Sequence, residues 1–245
     1  MLEVKDLTVC LQTQRGPANA IRGVAFNLQR GETLGLVGES GCGKSITAMA
    51  LMGLLPESAV VSGSIRFDGQ ELIGQPDASM RRLRGNRIGM IFQEPMTALN
   101  PVHTIGHQVA EPLRLHRGMG HEQARAQTIA LLERVGIAQA ARRVDAYPHQ
   151  FSGGQRQRIT IAMALACEPD LLIADEPTTA LDVTIQGQIL DLIHDLVSER
   201  SMALLLISHD LGVIAQNVQR MVVMYGGSVA ESGPTAAVFS NMAHP

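Results

Sequence analysis

Cysteine is scarce in this chain: Cys10, Cys42 and Cys167 are the only 3 among 245 residues. They lie far apart and form no C-x-x-C pair or Cys/His ligand spacing, which excludes a disulfide framework and predicts reduced thiols. The 8 histidines are scattered, with His103, His107 and His116 in one polar region and His244 near the end. Such spacing does not build a structural metal site. No apolar run reaches the roughly 18 to 20 residues needed to cross a bilayer. The start, Met1-Leu2-Glu3-Val4-Lys5, lacks a signal-peptide pattern, so the chain is expected to stay in the cytoplasm. A basic excess is missing too. The formal charge of -3 gives no support for nucleic-acid binding, and the local group Arg81, Arg82, Arg84 and Arg87 reads as a solvated segment. Without repeats, low-complexity stretches or a Pro/Gly/Ser-rich linker, residues 1–245 read as a single domain with an inserted subdomain.

What is present is an ordinary globular composition, 45% apolar and 18% charged, and a patterned one. Residues 2–9, 21–28 and 63–67 read as short strands separated by Arg15-Gly16-Pro17 and followed by Asp68-Gly69, which predicts an antiparallel sheet. Four nearly continuous apolar runs, 33–37, 88–92, 171–174 and 203–207, read as buried parallel strands. The motifs sit at their C-terminal ends, where open α/β sheets bind ligands. A helical pattern fills roughly residues 94–167, including 122–135 with Ala124, Thr128, Leu131, Leu132 and Val135 in step. Residues 183–197 form an amphipathic helix whose apolar stripe is Ile185, Ile189, Leu192, Ile193 and Leu196.

Three groups of residues carry chemistry. Gly38-Glu39-Ser40-Gly41-Cys42-Gly43-Lys44-Ser45 is a G-x-x-x-x-G-K-S phosphate loop between a strand and a helix. Its glycines turn backbone N–H groups inward, the helix start adds partial positive charge, Lys44 reaches terminal phosphates and Ser45 can ligate Mg²⁺. That predicts ATP or GTP. The run Leu171-Leu172-Ile173-Ala174-Asp175-Glu176 ends a strand in two carboxylates. Asp175 can hold Mg²⁺ directly or through water. On an extended strand Glu176 points to the other side, free to orient or deprotonate a water. Finally, Phe151-Ser152-Gly153-Gly154-Gln155-Arg156-Gln157-Arg158 opens a helix with a hydroxyl and two glycines. By its residues alone it is either a second phosphate-binding surface or an N-capped surface helix.

Taken in order, residues 38–45, Gln93, Ser152 to Gln155, Asp175-Glu176, Ala180-Leu181-Asp182 and His209 resemble the nucleotide-binding domain of ABC transporters over essentially the whole chain. The fold this implies is α/β: a P-loop NTPase core with a mostly parallel sheet, an N-terminal antiparallel β subdomain and an inserted α-helical subdomain. The resemblance implies that Gly38, Glu39, Ser40, Gly41, Cys42, Gly43, Lys44, Ser45 and Ile46 bind ATP. Ser152, Gly153, Gly154 and Gln155 would be the signature motif, contacting ATP held by an opposing domain. Gln93 becomes the Q-loop residue, which with Ser45 and Asp175 serves Mg²⁺. Asp182 belongs to the D-loop. Glu176, His209 and Lys44 become the catalytic set, with His209 the switch histidine.

A narrower similarity rests on Gln93-Glu94-Pro95-Met96-Thr97-Ala98-Leu99-Asn100-Pro101 and Tyr147-Pro148-His149-Gln150-Phe151-Ser152-Gly153-Gly154. These resemble the dipeptide, oligopeptide and nickel importer ATPases of bacteria. The implied partners are a second ATPase subunit, integral membrane permease subunits and a substrate-binding protein, with no nucleic acid, and the implied location is the cytoplasmic face of the cell membrane. A soluble ABC ATPase acting on nucleic acid or ribosomes is the alternative. Many family members stack adenine on an aromatic near the end of the first strand, whereas no aromatic precedes Phe26 here. Leu11 or a neighbour is expected to supply apolar contact, with weak base selectivity as the consequence. Members of this subfamily usually continue past the His-Pro pair, His244-Pro245 here, often with a cysteine cluster; no iron–sulfur site is assigned.

Overall fold

The computed structural model describes residues 1–179 and 181–240, with the side chains of Pro95 and Met96 also left aside. Ala180, His244 and Pro245 therefore lie outside the described residues. The backbone divides into two compact units, Met1–Arg81 together with the segment from Ala203 onward, and Arg82–Met202.

The first unit opens with β1 (Leu2–Thr13) and β2 (Gly16–Leu28), a longer hairpin than the apolar pattern predicts, because the polar stretch 10–20 continues the ladder to Thr13 opposite Gly16. Then come β3 (Thr33–Gly38), α1 (Lys44–Met52), β4 (Val60–Phe67), the two-residue β5 (Gln70–Glu71) and α2 (Asp77–Leu83). The order β2-β1-β4-β5 makes an antiparallel sheet. Glu71 ties its last turn together. Its carboxylate accepts from Ser64 Oγ at 2.5 Å and from the N–H groups of Ile65, Leu72 and Ile73 at 2.8, 3.2 and 3.2 Å. Burial disfavours its charged form, but these donors outweigh it and hold the carboxyl below its ordinary range.

The second unit begins with β6 (Ile88–Ile91), followed by α3 (Pro95–Ala98), α4 (Ile105–Arg117), α5 (His121–Arg134), α6 (Ala140–Arg143), a 3-10 turn at Pro148–Gln150, α7 (Gly153–Leu165), β7 (Leu171–Asp175) and α8 (Val183–Glu199). β6 and β7 pair in parallel, Ile91 opposite Ala174. Phe92, which the apolar run places in the strand, lies outside it and is exposed. Thr104 caps α4 by accepting from His107 N, and Gly118 ends that helix at φ 63. The buried Gln108 binds the preceding loop, donating from Nε2 to Asn100 O and His103 O at 3.0 Å each and accepting from Asn100 N at 2.8 Å. Arg81 pairs with Asp77 and Arg87 with Asp170, both at 2.7 Å, so this arginine-rich segment is partly neutralised locally. On α8, Ile189, Ile193 and Leu196 of the expected stripe are buried, Ile185 and Leu192 are half-buried, and Leu190 and Val197 join the buried face.

One core position is out of balance. Thr128 on α5 is 0% exposed, and its Oγ1 has no hydrogen-bond partner among the described residues. A stranded hydroxyl costs about 1–3 kcal/mol, and valine has nearly the same shape. Thr128→Val is therefore expected to stabilise the protein by about 1 kcal/mol, raising Tm by roughly 2–4 °C; a calorimetric Tm at or below that of the parent would contradict this account.

The chain returns to the first unit with β8 (Ala203–Ser208), α9 (Leu211–Asn217), β9 (Arg220–Tyr225), β10 (Ser228–Pro234) and α10 (Thr235–Ser240). β3 lies between β8 and β9 and is parallel to both, while β10 pairs antiparallel with β9. All of β8 and nearly all of β3 is buried, which explains their unbroken apolar runs. The β9–β10 hairpin is absent from the sequence expectations. Its local signal is Gly226-Gly227, both at positive φ (55 and 87), a pairing suited to a two-residue turn.

Candidate functional site

In the first unit the parallel register sets the geometry. Val37 lies opposite Ser208 and Gly38 opposite Met224, so Gly38, the last residue of β3, and His209, the first residue after β8, come to the same end of the sheet. Gly38 has no room for a side chain: a Cβ there would stand 2.2 Å from Met224 O on β9. Gly43 (φ 104) is closed in likewise, since its Cβ would meet Ile21 Cδ1 at 2.4 Å and Ala20 O at 2.9 Å on β2. The phosphate loop is thus pressed against two strands, with Glu39, Ser40 and Gly41 exposed and Cys42, Gly43 and Lys44 buried. Ser45 and Ile46, at the first turn of α1, are half-buried.

Lys44 is the buried cation of this loop, 5% exposed, and its Nζ donates to Gly38 O at 2.7 Å and Glu39 O at 3.0 Å. Thr47 Oγ1 donates to Gly43 O at 3.0 Å, anchoring the helix start. The ammonium is therefore held at the loop rather than extended into solvent. His209 is exposed between two fixed neighbours. Asp210 N donates to Ser208 Oγ at 3.0 Å, and Asp210 Oδ1 caps α9 by accepting from Gly212 N and Val213 N.

The second unit brings Gln93, Asp175 and Glu176 together, because β6 and β7 end side by side. Gln93 Nε2 donates to Glu176 Oε2 at 3.0 Å, and Thr179 Oγ1 donates to the same oxygen at 3.0 Å. Asp175 ends β7 and is 4% exposed. The expectation that Glu176 points away by strand alternation is corrected here. The strand stops at Asp175, and Glu176 takes a left-handed backbone, φ 46. A non-glycine residue in that region costs about 1–3 kcal/mol and persists only where neighbours enforce it. Those neighbours are specific. Thr179 N donates to Glu176 O at 3.1 Å, Gln157 Nε2 to Pro177 O at 2.6 Å, and Gln186 Nε2 to Thr178 O and Leu181 O at 3.3 and 3.0 Å. Thr179, Gln157 and Gln186 carry no role in the sequence expectations. A glutamine inside an amphipathic helix reads as solvated, yet Gln157 is 0% exposed.

Ser152 to Gln155 forms the N-terminus of α7. Ser152 Oγ accepts from Gln155 N at 3.3 Å, and Gln155 Oε1 accepts from Ser152 N at 3.2 Å, a reciprocal capping box. The capped-helix reading of this segment is what the structure shows, with Ser152, Gly153 and Gly154 at the positive end of α7. Arg143 stands over the Phe151 ring, 4.1 Å from its centroid, steadying the approach to the motif. A Cβ on Gly154 would stand 2.9 Å from Ile185 Cγ2, so α8 backs directly onto the motif. Asp182 caps α8 by accepting from Ile185 N at 3.0 Å.

The donor sets suit a phosphate chain and a hard cation. Ser45 offers a hydroxyl and Asp175 a carboxylate, both oxygen ligands of the kind Mg²⁺ prefers. Packing against β9 and β2 excludes side chains at Gly38 and Gly43, and the Lys44 ammonium sits against the carbonyls of Gly38 and Glu39. Among the described residues no helix is long and apolar enough to cross a membrane, and no group of three or more His, Cys, Asp and Glu is placed to hold a metal.

Comparison with known proteins agrees with this arrangement. The family model described as ABC transporter matches residues 21–179. The dipeptide transport ATP-binding protein DppD of Bacillus subtilis is 51% identical over 247 residues, covering 100% of this chain and 74% of its own length. A peptide import ATP-binding protein of Brucella ovis is 52% identical over 252 residues, covering 100% of this chain and 75% of its own length. Among solved structures, the dimeric post-hydrolysis state of the ATP-binding cassette MJ0796, bound to ADP and Pi, has a TM-score of 0.84 at 28% identity and covers 96% of this chain and 99% of that one. The cbiO1 protein of Clostridium perfringens, part of the ABC transporter complex cbiONQ, has a TM-score of 0.80 at 27% identity, with 98% and 91% covered. With α/β architecture, phosphate loop, buried acidic strand end and capped glycine helix all in place, the chain belongs to the ABC transporter family as one of its ATPase cassettes.

Proposed function

We propose that the chain is the ATPase subunit of a peptide-type importer, in which ATP binding and hydrolysis drive uptake through a membrane permease. The observation that carries the catalytic part is the Glu176 carboxylate, held by Gln93 and Thr179 at the end of β7 beside the buried Asp175. Peptide import is supported by relatives bearing that name at 51% and 52% identity along the whole chain.

In this reading residues 38–46 bind the phosphates of ATP, with Lys44 against the terminal ones. Mg²⁺, held by Ser45 and Asp175 and sensed by Gln93, supplies charge neutralisation on the phosphate oxygens. Glu176 and His209 orient water for attack. The oxygen of that water forms a bond to the γ-phosphorus as the bond to the β–γ bridging oxygen breaks, and its proton passes to Glu176. Ser152 to Gln155 caps ATP held by a second ATPase subunit, with Asp182 at the same interface. The dimeric assembly of the MJ0796 cassette supports this division of labour. Closure on ATP and reopening after hydrolysis pass to integral membrane permease subunits through the Gln93 region. A substrate-binding protein delivers the solute, and the ATPase works at the cytoplasmic face of the membrane.

Uptake by a deletion strain, assayed across dipeptides, oligopeptides and nickel, tests the proposal. Loss of peptide uptake, restored by the parent gene and not by a Lys44→Ala copy, is the expected result. Intact peptide uptake with loss of nickel or another solute would move the protein to a different substrate class.

A further inference from the structure

The left-handed turn that carries Glu176 is fastened to the signature helix by one buried amide. Gln157 lies on α7, five residues after Ser152, and is 0% exposed. Its Nε2 donates to Pro177 O at 2.6 Å, a short and wholly buried hydrogen bond. Its Oε1 lies 3.4 Å from the hydroxyl of Thr160, itself 3% exposed, and that hydroxyl also donates to Gln157 O at 2.8 Å. The amide is thus steadied from both ends.

Proline has no N–H, so the carbonyl is the one backbone group through which the residue after Glu176 can be gripped. Glu176 sits in a backbone region that non-glycine residues avoid, φ 46, so the direction of its carboxylate depends on the grip at its neighbours. The side-chain contacts of Glu176 with Gln93 and Thr179 restrain its tip. Gln157 restrains its root. Because the same helix presents Ser152 at its start, a shift of α7 is passed by this bond to the Pro177–Thr178 peptide, one residue beyond Glu176.

We propose that Gln157 is a positioning residue for hydrolysis, holding the Glu176 turn through the Pro177 carbonyl and tying it to the signature helix. The role rests on Glu176 being the carboxylate that orients water.

Gln157→Met keeps the length and volume of the side chain and removes the donor. In the full-length protein it is expected to lower kcat for ATP about 10-fold, since small misplacements of a catalytic group carry losses of this order or more. KM for ATP should stay within twofold, because no residue of the phosphate loop is touched. The discriminating measurement is the pair with Glu176→Gln, assayed by single-turnover hydrolysis of radiolabelled ATP. If Gln157 acts through Glu176, adding Gln157→Met to Glu176→Gln slows the residual rate no further. A folded Gln157→Met variant with parental kcat, or one whose loss recurs in full in the Glu176→Gln background, overturns the role. Should Gln157→Met fail to fold, Thr160→Val, which removes the hydroxyl beside the amide, is expected to lower kcat about threefold at unchanged KM; an unchanged kcat there overturns it equally. A parental rate in Glu176→Gln alone removes the underlying assignment of Glu176 instead, so the two failures are distinct.

Discussion

Glu176→Gln is expected to slow ATP hydrolysis about 10²- to 10⁴-fold while leaving nucleotide affinity within a few-fold of the parent. The substitution keeps the shape of the side chain and an oxygen that can accept from Gln93 Nε2 and Thr179 Oγ1, which now meet at Glu176 Oε2. What it removes is the negative charge and the basicity that draw a proton from water. The backbone cost of φ 46 is common to both residues, so stability should change by less than about 0.5 kcal/mol. In the proposed function phosphate binding rests on residues 38–46, none of which is changed. ATP should then be bound without being spent, and the ATP-loaded form should accumulate as a dimer, visible by size exclusion with ATP and Mg²⁺. Hydrolysis at the parental rate would show that water is oriented by another group.

The parts of the site that phosphate chemistry dictates are legible in the residues themselves. Gly38 is required by the 2.2 Å approach a Cβ would make to Met224 O, and Gly43 by its φ of 104 and the 2.9 Å approach to Ala20 O, and the strands that present the motifs, β3, β7 and β8, are almost wholly buried and so read as unbroken apolar runs. Period and composition miss other features for identifiable reasons. β10 is half-buried to exposed and does not resemble a core strand before its partner is known, whereas β9, with Met221, Val222 and Met224 buried, carries an apolar run of the same kind as β7. The turn at Glu176 is held locally by Thr179, which donates to its carbonyl and its carboxylate, and neither bond can be read from the sequence pattern. The residues just after it are gripped by Gln157 and Gln186, at Pro177 O and Thr178 O, and these lie 19 residues before and 10 residues after Glu176 in the numbering. Side-chain hydrogen bonds between distant residues leave no periodic trace, and a buried glutamine looks like a solvated one until its partner is located.

Lys44→Ala is the substitution expected to damage the protein most. The ammonium is 5% exposed and is held by Gly38 O and Glu39 O at 2.7 and 3.0 Å. It can stand there only because the loop curls its carbonyls toward it, and a triphosphate offers the stronger, charged acceptor at the same place. A charge-assisted hydrogen bond is worth about 1.5–3 kcal/mol, which puts the loss of ATP affinity at about 10- to 150-fold. The loss in turnover should be larger, because negative charge on the transferring phosphoryl group is stabilised by the same cation; removing one such donor typically costs a further 10²- to 10³-fold. Two outcomes separate this from simple unfolding. The exposed Glu39 carbonyl can be taken over by water, so Tm should fall by no more than a few degrees, and Lys44→Met, which restores the buried stem without the charge, should recover stability but neither affinity nor rate. If Lys44→Met binds and hydrolyses ATP like the parent in equilibrium titration and steady-state assay, the cation is a structural prop of the loop and the phosphates are held by its backbone alone.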